Sequence, residues 1–565
     1  MCESDLTLNP TKAKQKRWNR PTITAKIAAF QNRPSKTISQ RQFANEQGMP
    51  RTTLQYWLAR KDSIDADPAL TAFFESPIGL AFLHRLQVAA HLVFNQVGPC
   101  GIRLICSYLE LTGLDRFVAA SVGAQHQIAR QMESEIIAYG AREKSRLANT
   151  MPAKKITVCE DETFHPEVCL VAIEPVSDFI LVEKYAQQRD AETWNQAIKQ
   201  ATKDLPVEVI QSTSDEATGI LSHVREGLGA QHSPDVFHGQ RELHKATSLP
   251  LRAQVAAATE AVASAEKQRQ QAEEEFKIFL SEPPKRGLPP DFPKRIDLAK
   301  EREQQARQTL EAAETRRERT RAAIRGISED YHPYDLNNGR AMSALEIEQR
   351  LKERFAQIDQ AAAEAQLSKG SQKRIEKARR LIEGFVATVA FFHLQVQMWV
   401  KDLALSSEVE QTIFNQLIPA LYLERAVKKL PTAEERAKAR SVYEPLLSRA
   451  RGPDSALAVL SDAERVKVER VAQECADLFQ RSSSCVEGRN GQLALRHHSL
   501  HRLSERKLTA LTVIHNYYLV RTEGTTAAER FFGAKPTNLF TWLLDHLKVP
   551  ARPAAKRSGT VRKAA

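Results

Sequence analysis

The chain is expected to fold as an α/β core interrupted by a large all-α insertion and preceded by an all-α N-terminal region. Three observations predict this. Short strands begin near residue 155, a helical pattern runs for more than two hundred residues after Gln240, and two short helices flank Gly48 beside a basic N-terminus. At 565 residues the chain has room for about three or four domains. With 42% hydrophobic and 27% charged residues, it has the composition of a globular protein with sizeable cores.

The net charge of +12 is unevenly placed: residues 1–60 hold eleven Lys/Arg against three acids, and residues 550–565 hold five against none. The 489 residues between them sum to −1. Basic ends of this kind suit arms that neutralise phosphates, although basic termini also serve solubility. Ser39–Gln47 reads as a short helix, Gly48-Met49-Pro50 as a turn and Arg51–Arg60 as a second helix with Leu54, Trp57 and Leu58 on one face. This is helix-turn-helix spacing, shared with generic helical hairpins. It leaves Arg51, Thr52, Thr53, Gln55 and Tyr56 to face a groove, beside Lys12, Lys14, Lys16, Arg17 and Arg20. Residues 66–150 read as helical, and both a second DNA-binding or dimerising unit and a plain helical linker fit them.

Strands follow at 156–159, 168–173 and 179–182, with turns at His165-Pro166 and Pro175–Asp178. A helix around 190–202, a fourth strand at 207–212 and a helix over 215–228 complete the series. The order strand, strand, strand, helix, strand, helix begins an RNase H-like fold. Alternation puts Thr157, Cys159 and Asp161 on one face of the first strand, with Asp161 at its end. Asp215 follows the fourth strand, and in an RNase H-like sheet strands one and four are neighbours. Glu160 and Glu162 flank Asp161, so the choice of acid rests on strand phase.

After Gln240, Val255, Val262 and Phe276 recur at one heptad position and Ala258, Ala265, Ala272 and Phe279 at another, interrupted by Arg269. A Pro-rich turn at 283–290 and a returning arm with Ala299, Ala306, Leu310, Ala313 and Ile324 inward predict a helical hairpin. The apolar block 381–405 with 413–423 is expected to form the body of the insertion. Trp399 there suits base stacking or, beside Met398 and Val400, a core. The expected domains are 1–64 (basic arm and helix-turn-helix), 65–150, 151–244 (core, first part), 245–475 (all-α insertion), 476–549 (core, second part) and 550–565 (basic tail).

From residue 155 onward the chain resembles the DDE transposases of prokaryotic insertion sequences. Asp235-Val236-Phe237-His238 is similar to the DxxH signature that follows the fifth strand in several of them. Ser484-Cys485-Val486-Glu487-Gly488-Arg489-Asn490-Gly491 is similar to their helix with the third acid. His515-Asn516-Tyr517-Tyr518 with Arg521, and Glu523 through Gly533, resemble the segment that closes many such domains.

The resemblance implies an RNase H-like catalytic core in which Asp161, Asp215 and Glu487 are the catalytic, metal-binding acids. They would hold two Mg²⁺ ions, or Mn²⁺, about 3.5–4 Å apart for in-line phosphodiester cleavage. Asp235 and His238 would stand beside these ligands. The 271 residues between Asp215 and Glu487 match the helical insertion some relatives carry. The basic residue many relatives have seven positions after the Glu is Ala494, which leaves Arg489 and Arg496, with Arg502, to hold phosphate.

The expected activity is cleavage of double-stranded DNA at the element's inverted ends, recognised by the N-terminal helices, and joining of the 3′ ends to target DNA by a homo-oligomer. An RNase H-like nuclease without strand transfer, and a catalytically inactive, domesticated DNA-binding coiled-coil protein, are the alternatives. No run of 18 apolar residues and no basic-then-apolar leader is present, and the seven scattered cysteines include no CxxC. The expectation is therefore a cytoplasmic, nucleoid-associated prokaryotic protein with no membrane partner and no small-molecule cofactor.

Overall fold

The computed structural model describes residues 18–33, 38–59, 61, 67–164, 167–283, 287–430, 432–500 and 503–549. The chain is mostly helical, with one mixed five-stranded sheet, and divides into two compact units. One holds residues 151–493; the other joins the residues before 151 to those from 494 onward.

In the latter unit, the helices Gln40–Glu46 and Arg51–Ala59 are joined through Gly48, whose φ of +63° only glycine adopts at little cost. Ser39 caps the first of them by accepting the Gln42 N–H. The helix Arg20–Gln31, which was expected only as basic arm, supplies Ile27 and Phe30 to a small core with Phe43, Ala44, Leu54 and Trp57. Amphipathic patterning is weak over this helix, so its core face shows only once the other two are in place.

The long helix Val122–Ala148 centres the rest of the unit and buries Ile128, Met132, Ile136 and Tyr139. The helices Glu505–Tyr517 and Leu539–His546 pack on it. Approach is close at Gly140, where a Cβ would meet Val513 at 2.5 Å. Residues 494–549, expected with the sheet, thus cluster with the N-terminal residues, because Tyr517 and Trp542 bury against Tyr139.

The other unit holds the sheet: β1 (Lys154–Phe164), β2 (Val168–Glu174), β3 (Phe179–Ala186), β4 (Val207–Ser214) and β5 (Gln231–Pro234), in the order β3-β2-β1-β4-β5. β1, β2 and β3 pair antiparallel, and β4 and β5 run parallel to β1. Leu170, Ala172 and Val182 meet Trp194, Ala197 and Ile198 of the helix Ala191–Thr202 on one face. The opposite face carries Cys159, whose thiol donates to the Ser482 carbonyl.

Val236–Ser281 and Phe292–Asp330 form the two arms of the helical hairpin. Ala258, Val262, Ala265, Ala299 and Ala313 are buried in its seam. Arg269 joins the arms rather than interrupting them, donating to Glu303 at 2.6 Å and to Glu273 at 2.8 Å. The base of the hairpin is not separate: Leu243, Leu251, Ala323 and Ile324 share one large core with Phe355, Phe385, Phe392 and Phe479.

The helix Leu381–Lys401, expected within the body of the insertion, also packs directly on β5. Gly384 permits this, since a Cβ there would lie 2.4 Å from Pro234 Cγ, and Thr388 donates to Ser233. Trp399 packs, partly buried, against the same core. Two stretches, 77–97 and 369–401, reach the length and hydropathy of membrane spans. Apolar residues of both, among them Leu83 and Val88 in the first and Phe385 and Val389 in the second, are buried in the cores.

Candidate active site

Strand phase separates the three consecutive acids of β1. Glu160 is fully buried on the face of the helix Ala191–Thr202, where it accepts from Ser212 Oγ at 2.5 Å and lies 3.2 Å from His223 Nε2. Glu162 accepts from Trp194 Nε1 and Arg189, both at 3.2 Å. Asp161 points to the opposite face and accepts the N–H of Glu162 at 2.8 Å. β1 extends three residues past Asp161, so the acid stands within the strand rather than at its end.

The parallel register pairs Cys159 with Thr213 and Glu160 with Ser214, which sets Asp215, just beyond β4, beside Asp161. Asp215 turns the chain by accepting the Ala217 N–H at 3.1 Å. Asp235 follows β5 and is 5% exposed. Its Oδ1 caps the first hairpin arm, accepting from Phe237 at 2.7 Å and from His238 at 3.4 Å. Its Oδ2 accepts the Ser483 N–H at 3.1 Å and the Ser483 hydroxyl. Ser483 directly precedes the helix Ser484–Leu500, whose first turn carries Glu487.

Asp161, Asp215, Asp235 and Glu487 therefore fall within electrostatic range of one another. Burial first, and then the negative charges of Asp215, Asp235 and Glu487, push the Asp161 carboxyl up to about 7, against the hydrogen bond from Glu162. A half-buried carboxyl within the field of three others is an environment that a cation would relieve. The donors are all carboxylates, which suit a hard divalent cation such as Mg²⁺. Among the described residues, no three Asp, Glu, His or Cys side chains stand in metal-holding geometry. The fit is thus one of donor type.

Next to Asp215 opens a cleft of about 840 Å³, lined by Glu216, His238, Glu242, Lys377 and Arg189 among others. His238, expected beside the acids, lines this cleft with Asp215. Asp235 was expected near the site, and its Asp-then-helix context is an N-cap signal. Nothing local in the sequence announces that Ser483 is its second partner.

Three arginines expected to meet phosphate are committed elsewhere. Arg489 is 6% exposed and makes a bidentate pair with buried Glu183, at 2.7 and 2.6 Å. It therefore holds the Glu487 helix to β3. Arg496 donates to the carbonyls of Val97 and Gly98. Arg20 donates to the Arg116 carbonyl, lies 3.6 Å from Glu75 and sits over the Phe117 ring. All three guanidiniums thus have protein acceptors, and Arg489 alone among them is buried. Arg51, Thr52 and Gln55 are exposed on their helix. Lys12, Lys14, Lys16, Arg17 and Arg502 lie outside the described residues.

Residues 413–559 match a family model described as a family of unknown function (DUF6399). The match includes Glu487 and Arg489 but neither Asp161 nor Asp215. No curated protein and no solved structure matches the chain.

Proposed function

We propose that this protein is a metal-dependent DNA transposase with an RNase H-like core, in which Asp161, Asp215 and Glu487 form the catalytic acid set. The observation that carries the reading is the placement of Asp161 on β1 next to the end of the neighbouring strand β4, which Asp215 follows, with the Glu487 helix near enough for its charge to act on Asp161.

Asp161, Asp215 and Glu487 would together hold the Mg²⁺ ions. When bound, such ions supply an activated nucleophile and charge neutralisation at the leaving 3′ oxygen. Asp235 and Ser483 position the Glu487 helix, and Arg489 holds that helix to β3. The exposed row of Arg51, Thr52 and Gln55 is suited to reading base edges, and the basic ends to non-specific attraction for double-stranded DNA. Processing two ends together would require a homo-oligomer. A cytoplasmic, prokaryotic setting accords with this chemistry.

The test is cleavage of DNA carrying the ends that flank the reading frame, with purified Asp161→Ala, Asp215→Ala and Glu487→Ala. Each is expected to abolish Mg²⁺-dependent cutting and to leave end binding nearly intact. Wild-type cutting by any one variant removes that residue from the acid set. Cutting by the wild type without joining of 3′ ends would mark a nuclease instead.

A further inference from the structure

On the helix Val122–Ala148, Gly123, Gln127, Arg130 and Ser134 succeed one another at spacings of four, three and four residues. They form one stripe along the helix, about 16 Å long at 1.5 Å per residue. This stripe floors a groove of about 600 Å³. Its walls come from far along the chain: Arg506 at the start of Glu505–Tyr517, and His546 to Lys548 at the end of Leu539–His546.

The lining is basic and rich in neutral donors. Arg130, Arg506 and Lys548 stand against Glu135, and Gln127, Ser134 and His126 are interleaved with them. Arg506 also donates to Glu133 at 2.9 Å, which fixes its guanidinium at the rim. Arg130 and Lys548 are exposed. From Lys548 the chain runs on into residues 550–565, with five Lys/Arg and no acid. Positive side chains alternating with amide and hydroxyl donors along an open groove match the sugar–phosphate backbone, where most protein–DNA hydrogen bonds are made. An apolar anchor of the kind a peptide partner would require is not prominent in this lining.

We propose that this groove is a sequence-independent binding site for the backbone of duplex DNA, distinct from the exposed row on Arg51–Ala59 and from the acid site. Arg130 and Lys548 make its principal phosphate contacts.

The experiment is a titration of full-length protein with random-sequence duplex DNA, in EDTA and at several salt concentrations, comparing wild type with Arg130→Glu/Lys548→Glu. EDTA makes the result independent of any cleavage activity. The expected outcome is a loss of roughly tenfold or more in affinity and a salt slope shallower by about 1.8, at about 0.9 per phosphate neutralised. The neutral pair Arg130→Gln/Lys548→Gln should shift both in the same direction, with an unchanged thermal melt. Unchanged affinity and slope in both pairs would overturn the proposal. So would anionic phosphatidylglycerol vesicles, or polyglutamate, whose binding depends on Arg130 and Lys548 while that of duplex DNA does not.

Discussion

Asp235 and Ser483 are 248 residues apart in sequence, yet one carboxylate oxygen of Asp235 accepts both the N–H and the hydroxyl of Ser483. The other oxygen caps the first hairpin arm. A single buried side chain thus ties the end of β5, the start of the insertion and the start of the Glu487 helix.

Replacing Asp235 with Ala removes an N-cap, worth about 1 kcal/mol, and leaves buried Ser483 donors unpaired, at about 1–3 kcal/mol. The expected outcome is a lower denaturation midpoint and faster amide hydrogen exchange over residues 483–493. Exchange at the wild-type rate in that segment would show that Asp235 does not hold the helix.

The Glu183–Arg489 pair is buried, so breaking it leaves an uncompensated charge. Arg489→Ala should cost about 3–5 kcal/mol of stability. Arg489→Lys should not restore it fully, because an ammonium cannot make the bidentate contact. A double-mutant cycle with Glu183→Gln measures the coupling. Were Arg489 a phosphate contact instead, Arg489→Lys would keep the stability and the salt slope of DNA binding would respond to Arg489→Ala.

The Asp161 carboxyl has its pKa raised from 3.8 to about 7 in the folded chain. Between those values the unfolded chain is ionised and the folded chain is not, so the unfolded state binds fewer protons and stability falls as pH rises through that window. Asp161→Asn should therefore be more stable than wild type at about pH 8, at about 1.36 kcal/mol per pKa unit, with the gain vanishing as pH falls toward about 4. Millimolar Mg²⁺ should stabilise the wild type more than Asp161→Asn. Thermal melts across pH, with and without Mg²⁺, read both effects; a gain independent of pH would contradict the assignment.

The outer hairpin should be removable and its base should not. Replacing residues 260–311 with a short Gly-Ser turn leaves Leu243, Leu251, Ala323 and Ile324 in the large core, so cooperative unfolding of the sheet unit should persist. Deleting 245–327 strips Leu251, Ala323 and Ile324 from that core. Losing several buried aliphatic side chains, each worth about 2–5 kcal/mol, should abolish folding. Calorimetry of the two deletions decides it.

By itself the sequence determined the local features. Alternation marked the strands, heptads marked the hairpin arms, and a glycine between two short helices marked the turn at Gly48, because period and backbone freedom are properties of neighbouring residues. Strand phase also picked Asp161 out of three adjacent acids. Tertiary structure supplied the partners of the other two, since Glu160 meets Ser212 and His223 while Glu162 meets Trp194 and Arg189. It likewise turned Arg489 inward to Glu183 and drew residues 494–549 onto the helix Val122–Ala148. Pairings of this kind join residues hundreds of positions apart. Their energy comes from burial and charge compensation that exist only when the partners meet, so no local pattern in the chain records them.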